Sequence, residues 1–431
     1  MSPISRTQTD FGAGTGAGVP APAPVPAARG AAPRAWTVKS MLEWTRDFLG
    51  RKGIEQPRLS AEWLLCSATG LSRVELYMNY DRPLEAHELA QMHDAVLRRA
   101  KGEPLQYVTG EMPFRHIVLR CAPGVLIPRP ETEILVDEVL AYVRALPSSQ
   151  APSAAPAAPT APAPAGPATA GSAPAGPAAT PTPLEGEGGA VAAGRVGGEP
   201  GDGVGVSAGA DDPTDADVLA GADDPRRAGA PAEPAAPATF DFSSQWPADA
   251  PRDVSVLEVG TGTGCIALSL AGESPRVRVT ATDISPEAVD LARRNRDALG
   301  LGDCVDVVEC DLADGVDGAG SGAFDILVSN PPYIPTAVLP TLPHEVGDYE
   351  PALALDGGAD GLDVFRRLVD LGTRALRPGG LLACELFEDS LVAASELPAL
   401  RASYDNIRIV RDLTGRNRHL VATLREAQSH A

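Results

Sequence analysis

The chain has 431 residues, and Gly and Pro together make up about a fifth of them, a share well above that of an average globular protein. The formal charge at pH 7 is −21, and residues 151–250 contribute about half of it, with thirteen acidic residues against three arginines. Binding to the phosphates of nucleic acids needs a basic face. We therefore expect no direct nucleic-acid binding.

Membranes and metals are disfavoured by the sequence as well. No apolar run approaches the roughly 18 residues of a membrane-spanning helix, and residues 1–34 lack the charged and apolar regions of a signal peptide. The six cysteines have no Cys-x-x-Cys spacing, and no group of His, Cys, Asp and Glu has the spacing of metal ligands. We expect a soluble, cytoplasmic protein with reduced thiols, no metal and no membrane partner.

Two tracts of the chain have low complexity. Residues 1–35 are rich in Ala, Pro, Gly and Thr, and residues 147–250 combine Ala/Pro repeats with a Gly/Asp-rich stretch. Neither tract holds enough large apolar side chains to offset the entropy that ordering would cost. We expect a disordered tail at 1–35 and a disordered insertion at 147–250. A partner-binding role for the acidic half of the insertion is the alternative.

The segment between these tracts changes character twice. Residues 36–104 carry apolar side chains at helical spacing, which predicts a small bundle of four or five helices. Residues 105–128 are richer in β-branched and aromatic types and have a turn signal at Pro123-Gly124, which predicts a β-hairpin that links two domains. Proline and acidic residues then begin an amphipathic helix over 131–146.

Residues 129–425, interrupted by the insertion, form the second expected domain. From Asp253 onward strand and helix signals alternate, which is typical of an α/β fold with a parallel, doubly wound sheet. The expected strands are Val254–Val259, Val277–Thr282, Val305–Glu309, Phe324–Ser329 and Leu381–Glu385, and the expected helices are Cys265–Ala271, Pro286–Leu299 and Leu362–Leu376.

A glycine-rich turn, Gly260-Thr-Gly-Thr-Gly264, directly follows the first of these strands. Glycine adopts backbone conformations forbidden to other residues and lets a ligand approach the main chain. Asp283 ends the second strand, where a carboxylate can accept hydrogen bonds from both hydroxyls of a ribose; alternatively, it caps the following helix. Together the two features indicate an adenosine-containing cofactor, either a dinucleotide or S-adenosylmethionine.

The motif Asn330-Pro-Pro-Tyr333 follows the strand that ends at Ser329. Two consecutive prolines force the backbone out of helix and sheet, so a stiff loop leaves the carboxyl edge of the sheet, where ligands bind in open α/β folds. Such a loop presents the Asn330 side-chain oxygen and the Pro331 carbonyl as fixed acceptors, with the Tyr333 ring beside them. Two acceptors match the two donors of a planar amino group, which favours S-adenosylmethionine over a dinucleotide.

These motifs resemble those of class I S-adenosylmethionine-dependent methyltransferases that modify planar amino groups. The segments Ala61-Glu-Trp-Leu-Leu65, Leu105-Gln-Tyr-Val-Thr-Gly110 and Val125-Leu-Ile-Pro-Arg-Pro-Glu-Thr-Glu133 narrow the resemblance to the HemK/PrmC family of release factor glutamine methyltransferases. The resemblance covers residues 36–146 and 251–424. It implies a Rossmann-like methyltransferase sheet with S-adenosylmethionine as the cofactor. The methyl group would go to N5 of the glutamine in the Gly-Gly-Gln motif of peptide chain release factors, the expected partners.

The resemblance also implies roles for the parts of the chain. The helical bundle of residues 36–104 would dock the substrate. The implied cofactor-binding residues are Gly260, Thr261, Gly262, Thr263 and Gly264 around the methionine part, Asp283 at the ribose, Asp311 and Leu312 at the adenine, and Asn330 near the methionine end. The implied catalytic residues are Asn330, Pro331 and Tyr333, and the implied substrate-binding residues are Asn330, Pro331, Pro332, Tyr333 and Phe114.

The chain departs from the family pattern at two places. The insertion at 147–250 is one, and Ala383-Cys-Glu-Leu-Phe-Glu388 stands where the family has Glu-x-Gly, which leaves the role of Glu385 open. Two other functions remain as alternatives. One is a methyltransferase for another planar amino group, in a ribosomal protein glutamine or the N6-adenine of a nucleic acid. The other is a non-catalytic binding protein on a methyltransferase fold.

Overall fold

A computed structural model describes residues 35–147 and 253–426. The tail expected at 1–35 and the insertion expected at 147–250 therefore fall almost entirely outside the described residues. The chain divides into two compact units, with the boundary between Met92 and His93. The domain boundaries inferred from the sequence, at 104 and 128, stay predictions.

The first unit consists of helices. They are α1 (Val38–Arg51), α2 (Pro57–Thr69), α3 (Arg73–Met78) and α4 (Ala86–Ala100), the last of which crosses the unit boundary. A capping box begins α1, where the Thr37 side chain accepts from the Ser40 backbone and the Ser40 side chain accepts from the Thr37 backbone, so two otherwise unpaired donors are satisfied. Gly70, with φ of +68°, ends α2, because glycine tolerates the left-handed conformation of a helix C-cap.

After the end of α4, the second unit continues with a short helix and a β-hairpin. These are α5 (Leu105–Thr109), β1 (Glu111–Phe114) and β2 (Ile117–Arg120), which pair antiparallel. The turn expected at Pro123-Gly124 is present, but it follows β2, and the two strands of the hairpin reverse at Arg115-His116 instead. Arg115 has φ of +51°, and its backbone N–H donates to Glu133 at 3.0 Å while its guanidinium donates to Glu273. Long-range contacts, which no local pattern reveals, therefore hold this turn.

The rest of the second unit is an α/β sheet. Its elements are α6 (Thr132–Ala145), β3 (Val254–Val259), α7 (Cys265–Glu273), β4 (Val277–Asp283), α8 (Pro286–Ala298), β5 (Val305–Glu309), β6 (Phe324–Ser329), α9 (His344–Gly347), α10 (Ala352–Leu355), α11 (Asp363–Ala375), β7 (Leu376–Glu385), α12 (Leu391–Ser395), α13 (Pro398–Ser403), β8 (Tyr404–Arg411) and β9 (Asn417–Leu424), with 3₁₀ turns at Leu339–Thr341 and Glu388–Ser390.

The sheet has the strand order β5-β4-β3-β6-β7-β9-β8. The five strands expected from the sequence are all present and run parallel. The expectation of a purely parallel sheet is corrected, because β9 pairs antiparallel with both β7 and β8. A C-terminal hairpin thus extends the sheet, and β9 pairs with the backbone N–H and C=O groups that β7 would otherwise expose at an edge.

Apolar layers cover both faces of the sheet, as a doubly wound fold requires. Successive side chains of a strand point to opposite faces, and β3 shows this directly. Val254 and Val256 pack in one layer with residues of α6, α7 and α8, whereas Leu257 and Val259 pack in the other with residues of α11 and α12. Each face of the sheet therefore has its own helical cover.

The strand order indicates at which edge of the sheet a ligand would bind. From β3 the chain proceeds to β4 and β5 on one side, and it then returns to β6 and β7 on the other. Ligands bind beyond the carboxyl ends of parallel strands at such a reversal of direction. Gly260, Asp283 and Asn330 all lie at this edge, at or just past the ends of β3, β4 and β6. Within residues 35–147 and 253–426, no helix is both long and apolar enough to cross a membrane.

Candidate active site

A cavity of about 520 Å³ lies at this edge of the sheet. Most of the residues that the sequence predicted for a cofactor and substrate site share its wall. The predicted residues that line it are Gly260, Thr261, Gly262, Thr263, Asp283, Asp311, Leu312, Asn330 and Pro332. Gly264, Pro331, Tyr333 and Phe114 do not line it.

The glycine-rich turn forms the floor between β3 and α7. Gly260, Gly262 and Gly264 all have positive φ, of +73°, +57° and +87°, in the left-handed region that favours glycine. Gly264 is also packed closely, because a Cβ atom there would lie 2.9 Å from the Leu268 side chain. Gly264 therefore permits close packing of the turn against Leu268, while Gly260 and Gly262 line the cavity.

Asp283 is tied to the glycine-rich turn. Its Oδ2 accepts from the Gly262 N–H at 2.8 Å and its Oδ1 accepts from the Ser285 N–H at 3.0 Å. The helix-cap alternative for Asp283 is wrong, since Ser285 caps α8 by accepting from Ala288. Burial raises the pKa of the Asp283 carboxyl above its ordinary value. Each carboxylate oxygen keeps a further lone pair, so the pair of hydroxyls of a ribose has acceptors at this position.

Asp311 and Leu312 follow β5 on the same wall. Asp311 forms an ion pair of 2.8 Å with Arg367, which also lines the cavity. Leu312 has φ of +53°, and its carbonyl accepts from the Thr282 hydroxyl. The polar backbone of this segment is therefore fixed, and the Leu312 side chain packs partly against the apolar layer under α11.

Glu258 is a buried carboxylate that the sequence analysis did not single out. Its Oε2 accepts from the Thr261 hydroxyl at 2.8 Å and from the Ala267 N–H at 3.1 Å. Its Oε1 is buried and has no partner in the described residues. Burial raises the pKa of this carboxyl to about 8. A buried acceptor without a donor fits a ligand that brings a positively charged donor, such as the ammonium of an amino acid.

Asn330 belongs to a chain of hydrogen-bonded side chains that also includes Thr132 and Glu385. Its Nδ2 donates to the Thr132 hydroxyl oxygen at 3.2 Å, and the Thr132 hydroxyl donates to Glu385 at 2.6 Å. The Oδ1 atom of Asn330 is buried without a partner among the residues that the structure describes. Asn330 thus lines the cavity and has an unsatisfied buried acceptor, and the expectation that this oxygen holds a substrate amide stays a prediction.

Two aromatic side chains lie elsewhere than the sequence analysis expected. Tyr333 does not line the cavity; it is half-buried, and its hydroxyl donates to Glu385 at 3.0 Å. Burial and the nearby Glu385 charge raise the pKa of Tyr333 well above its usual range. Phe114 is 1% exposed and packs in the apolar layer with Ile117 and Leu135. The expected contact of Phe114 with a substrate amide is corrected to a core-packing role, because a ring this deeply buried presents no face to a ligand.

Glu258, which the sequence analysis did not single out, and Glu385, whose role it left open, share one signal. Glu258 and Glu385 are acidic residues near the ends of otherwise apolar strands, and both are buried. A buried carboxylate costs free energy unless it is paired, so such a residue indicates a polar network or a ligand. Thr132 stood inside a motif that carried the family resemblance, but nothing local marked its hydroxyl. In the described part of the chain, no group of three or more His, Cys, Asp or Glu side chains is arranged to hold a metal ion.

Comparison with known families matches both parts of the chain. The model described as the PrmC N-terminal domain matches residues 40–110. The model described as the methyltransferase small domain matches residues 243–339, a range that includes the glycine-rich turn, Asp283 and Asn330.

Curated relatives match along most of the chain. A protein of Geobacter sulfurreducens named release factor glutamine methyltransferase is 34% identical over 354 residues, which cover 82% of this chain and 85% of that protein. A protein of the same name from Moorella thermoacetica is 32% identical over 378 residues, which cover 88% and 95%. A solved structure of a methyltransferase from Pyrococcus furiosus is 22% identical, covers 43% of this chain and 80% of its own, and has a TM-score of 0.30. At that score the structural likeness carries no argument.

Proposed function

The chain belongs to the family of release factor glutamine methyltransferases, and we propose that it methylates a peptide chain release factor. The methyl group of S-adenosylmethionine goes to the side-chain nitrogen (N5) of the glutamine in the Gly-Gly-Gln motif. The observation that carries this proposal is the unpartnered Oδ1 of Asn330, a residue that lines the same cavity as the glycine-rich turn and Asp283. An acceptor without a donor at that position fits the N–H group of a substrate amide.

The residues of the cavity fit S-adenosylmethionine. The turn at Gly260–Gly264 would hold the methionine part, with the unpartnered Oε1 of Glu258 as an acceptor for its ammonium. Asp283 would accept from the ribose hydroxyls. Asp311 and Leu312 would lie against the adenine. When bound, the cofactor supplies an electrophilic methyl group on a positively charged sulfur.

The chemical difficulty lies with the acceptor. An amide nitrogen is a poor nucleophile because its lone pair is delocalised into the carbonyl group. Catalysis must therefore come from holding that nitrogen in line with the methyl group, and positioning of this kind can supply about 7–11 kcal/mol.

Asn330 and Pro331 would supply this positioning. The Asn330 Oδ1 would accept one of the two amide hydrogens. The Pro331 carbonyl, which the sequence offers for the other, would have to turn toward the cavity, because Pro331 does not line it. As positive charge develops on the nitrogen, both hydrogen bonds become stronger, so they favour the transition state over the ground state. The prolines that follow Asn330 keep its acceptor in place before the substrate arrives.

A labelled-methyl assay with a panel of acceptors tests the proposal. The protein is incubated with methyl-labelled S-adenosylmethionine and, separately, with a release factor, with the same factor carrying glutamate in place of the Gly-Gly-Gln glutamine, with a glutamine-containing ribosomal protein, and with DNA. We expect label in the unaltered release factor alone, on the glutamine side chain.

The other outcomes of this assay decide between the alternatives. Label in DNA would indicate an N6-adenine methyltransferase, and label in the ribosomal protein alone would change the substrate but keep the amide chemistry. Cofactor binding without transfer to any acceptor would leave a binding protein on a methyltransferase fold. Each of these results would contradict the proposed function.

A further inference from the structure

Glu385 accepts hydrogen bonds from two hydroxyl groups at once. Its Oε2 accepts from Thr132 at 2.6 Å and its Oε1 accepts from Tyr333 at 3.0 Å. Glu385 is 1% exposed and Thr132 is fully buried. Each hydroxyl thus directs its single proton toward Glu385 and has none left for another acceptor.

This arrangement fixes the direction of the next hydrogen bond. Because the Thr132 proton is committed to Glu385, only lone pairs of the Thr132 oxygen face Asn330. The Asn330 side chain must therefore direct its NH₂ group toward Thr132, as the 3.2 Å contact of Nδ2 with this oxygen records. The other end of the amide, Oδ1, is left without a partner in the part of the chain that the structure covers.

We propose that Glu385 is a positioning residue that acts through Thr132 to select which end of the Asn330 amide meets the substrate. With Glu385 as the terminal acceptor, Asn330 presents oxygen, which accepts from a substrate N–H. Without it, the Thr132 hydroxyl can donate to Asn330 instead, and the amide turns to present its NH₂ group. Two donors would then face each other, and the substrate amide would lose its partner. This inference rests on the proposed function.

The free-energy cost of burying the Glu385 carboxylate supports a functional reason for its position. A carboxylate buried this deeply loses favourable hydration, which its partners must offset. Its nearest further titratable neighbour is His419, which is fully buried with Nε2 3.7 Å from Glu385, too far for a hydrogen bond. Packing alone would be served as well by an apolar residue on β7, whereas orientation of Thr132 requires an acceptor.

The test uses a small set of variants at the two positions. Thr132→Val removes the hydroxyl at nearly constant volume, Thr132→Ser retains it, and Glu385→Gln supplies an amide whose NH₂ can donate to Thr132 and so reverse the chain. Thr373→Val is the matched control, because the exposed Thr373 hydroxyl donates only to a carbonyl of its own helix, Asp370. Each variant is assayed for steady-state methylation of a release factor, which gives kcat and KM, for S-adenosylmethionine affinity and for thermal unfolding.

We expect Thr132→Val and Glu385→Gln to lower kcat about 10- to 100-fold, the usual effect of removing a group that orients a ligating side chain. The KM for the release factor and the cofactor affinity should change less than twofold. Thr132→Ser should restore most of the rate, and Thr373→Val should match the wild type. A general loss of structure would instead lower cofactor affinity and the unfolding temperature together, and serine would not rescue it.

The outcomes for the two claims are separate. If the wild type methylates the release factor and both Thr132→Val and Glu385→Gln keep near wild-type kcat, the positioning role is wrong and the proposed function stands. If these variants lose kcat only in parallel with cofactor affinity, the role is structural and the inference is again overturned. A wild type that does not methylate a release factor contradicts the proposed function itself.

Discussion

At the scale of single residues, buried carboxylates decide much of the chemistry at the edge of the sheet. Asp283, Glu258 and Glu385 each accept two hydrogen bonds from the protein, yet they differ in what remains for a ligand. Asp283 retains lone pairs beside the cavity, Glu258 has an unpartnered oxygen, and Glu385 is committed to its own neighbours. We therefore propose different roles for the three carboxylates, namely ribose binding for Asp283, pairing with an ammonium for Glu258, and orientation of Thr132 for Glu385.

Replacing Asp283 should weaken cofactor binding. We expect Asp283→Ala to cost about 1.5–3 kcal/mol of S-adenosylmethionine binding free energy, the usual range for a lost charged hydrogen bond. Calorimetric titration measures this, with Asp306→Ala as the control because Asp306 is an exposed carboxylate on β5 outside the cavity. Equal affinity for wild type and Asp283→Ala would remove Asp283 from the site.

Glu258 should make stability depend on pH. Its pKa is raised to about 8 in the folded protein from an ordinary value of 4.5, so between these pH values the folded state holds a proton that the unfolded state has lost. The unfolding free energy therefore falls as pH rises through this window, with a slope of up to about 1.4 kcal/mol per pH unit. This contribution is fully present below about pH 4.5 and is lost above about pH 8.

The variant Glu258→Gln isolates this effect, because it cannot ionise. We expect the wild type to lose stability relative to Glu258→Gln from pH 5 to pH 8, as measured by urea denaturation at each pH. Saturating S-adenosylmethionine should reduce the slope, since its ammonium favours the ionised carboxylate. Parallel pH profiles for the two proteins would show that Glu258 does not titrate in this range.

At the scale of elements, α11 lies close to the sheet because Gly372 has no side chain. A Cβ atom at Gly372 would lie 2.2 Å from the Tyr404 hydroxyl and 3.4 Å from a Leu327 methyl group. The Tyr404 hydroxyl donates to the Val369 carbonyl of the same helix at 2.9 Å. The tyrosine that begins β8 thus fixes α11 against β6 through one glycine.

Gly372→Ala should therefore destabilise the second unit by overpacking. We expect a loss of about 1–3 kcal/mol in unfolding free energy, measured by urea denaturation. Gly302→Ala is the matched control, because a Cβ atom at Gly302 meets nothing within 4 Å, and it should change stability by no more than about 0.5 kcal/mol. Equal stability of the two variants would mean that α11 shifts away from Tyr404 without cost.

The elements that sequence patterns predicted and those they missed differ in their physical cause. The five parallel strands are apolar runs between helices, so β3 to β7 could be predicted. The C-terminal strands β8 and β9 are amphipathic or mixed, and β8 lies at the edge of the sheet, where the pattern weakens. The hairpin turn at Arg115 lacks Gly and Pro and depends on distant carboxylates.

The candidate site divides in the same way. The glycine-rich turn, Asp283 and Asn330 occur in short motifs whose spacing along the chain carries the prediction. The hydrogen bonds of Thr132 join residues that are 198 and 253 positions apart, so only the fold brings them together. Sequence patterns therefore predicted most of the residues that line the cavity, but not the hydrogen-bonded neighbours behind them.

At the scale of the whole molecule, Pro147 and Asp253, the described residues on either side of 148–252, both contact Arg276. Arg276 donates to the carbonyls of Val143, Leu146 and Pro147 on one side of the insertion. The same guanidinium forms an ion pair of 2.9 Å with Asp253 on the other side. Arg276 thus contacts the chain on both sides of the insertion. A shorter connection between Pro147 and Asp253 therefore requires no rearrangement of the fold.

Deleting residues 151–245 should consequently leave folding and methyl transfer nearly intact. The ten residues that remain of 148–252 can join the ends, and the entropy of loop closure changes by only about 0.6 kcal/mol for each doubling of length. Thermal unfolding and methylation of a full-length release factor measure the effect. Loss of methylation with unchanged cofactor affinity would show instead that the insertion docks the substrate.

Asn330→Ala tests most directly whether the Asn330 oxygen holds the substrate amide. Removal of one preorganised group that acts on the transition state typically costs about 10²–10³ in rate, while the proposed cofactor contacts are mainly at the glycine-rich turn and Asp283. Single-turnover methylation of a release factor is measured beside S-adenosylmethionine affinity for the same variant. We predict a rate lower by about 10²–10³ with only a small change in affinity. A variant that methylates at nearly the wild-type rate would contradict the amide-holding role of Asn330.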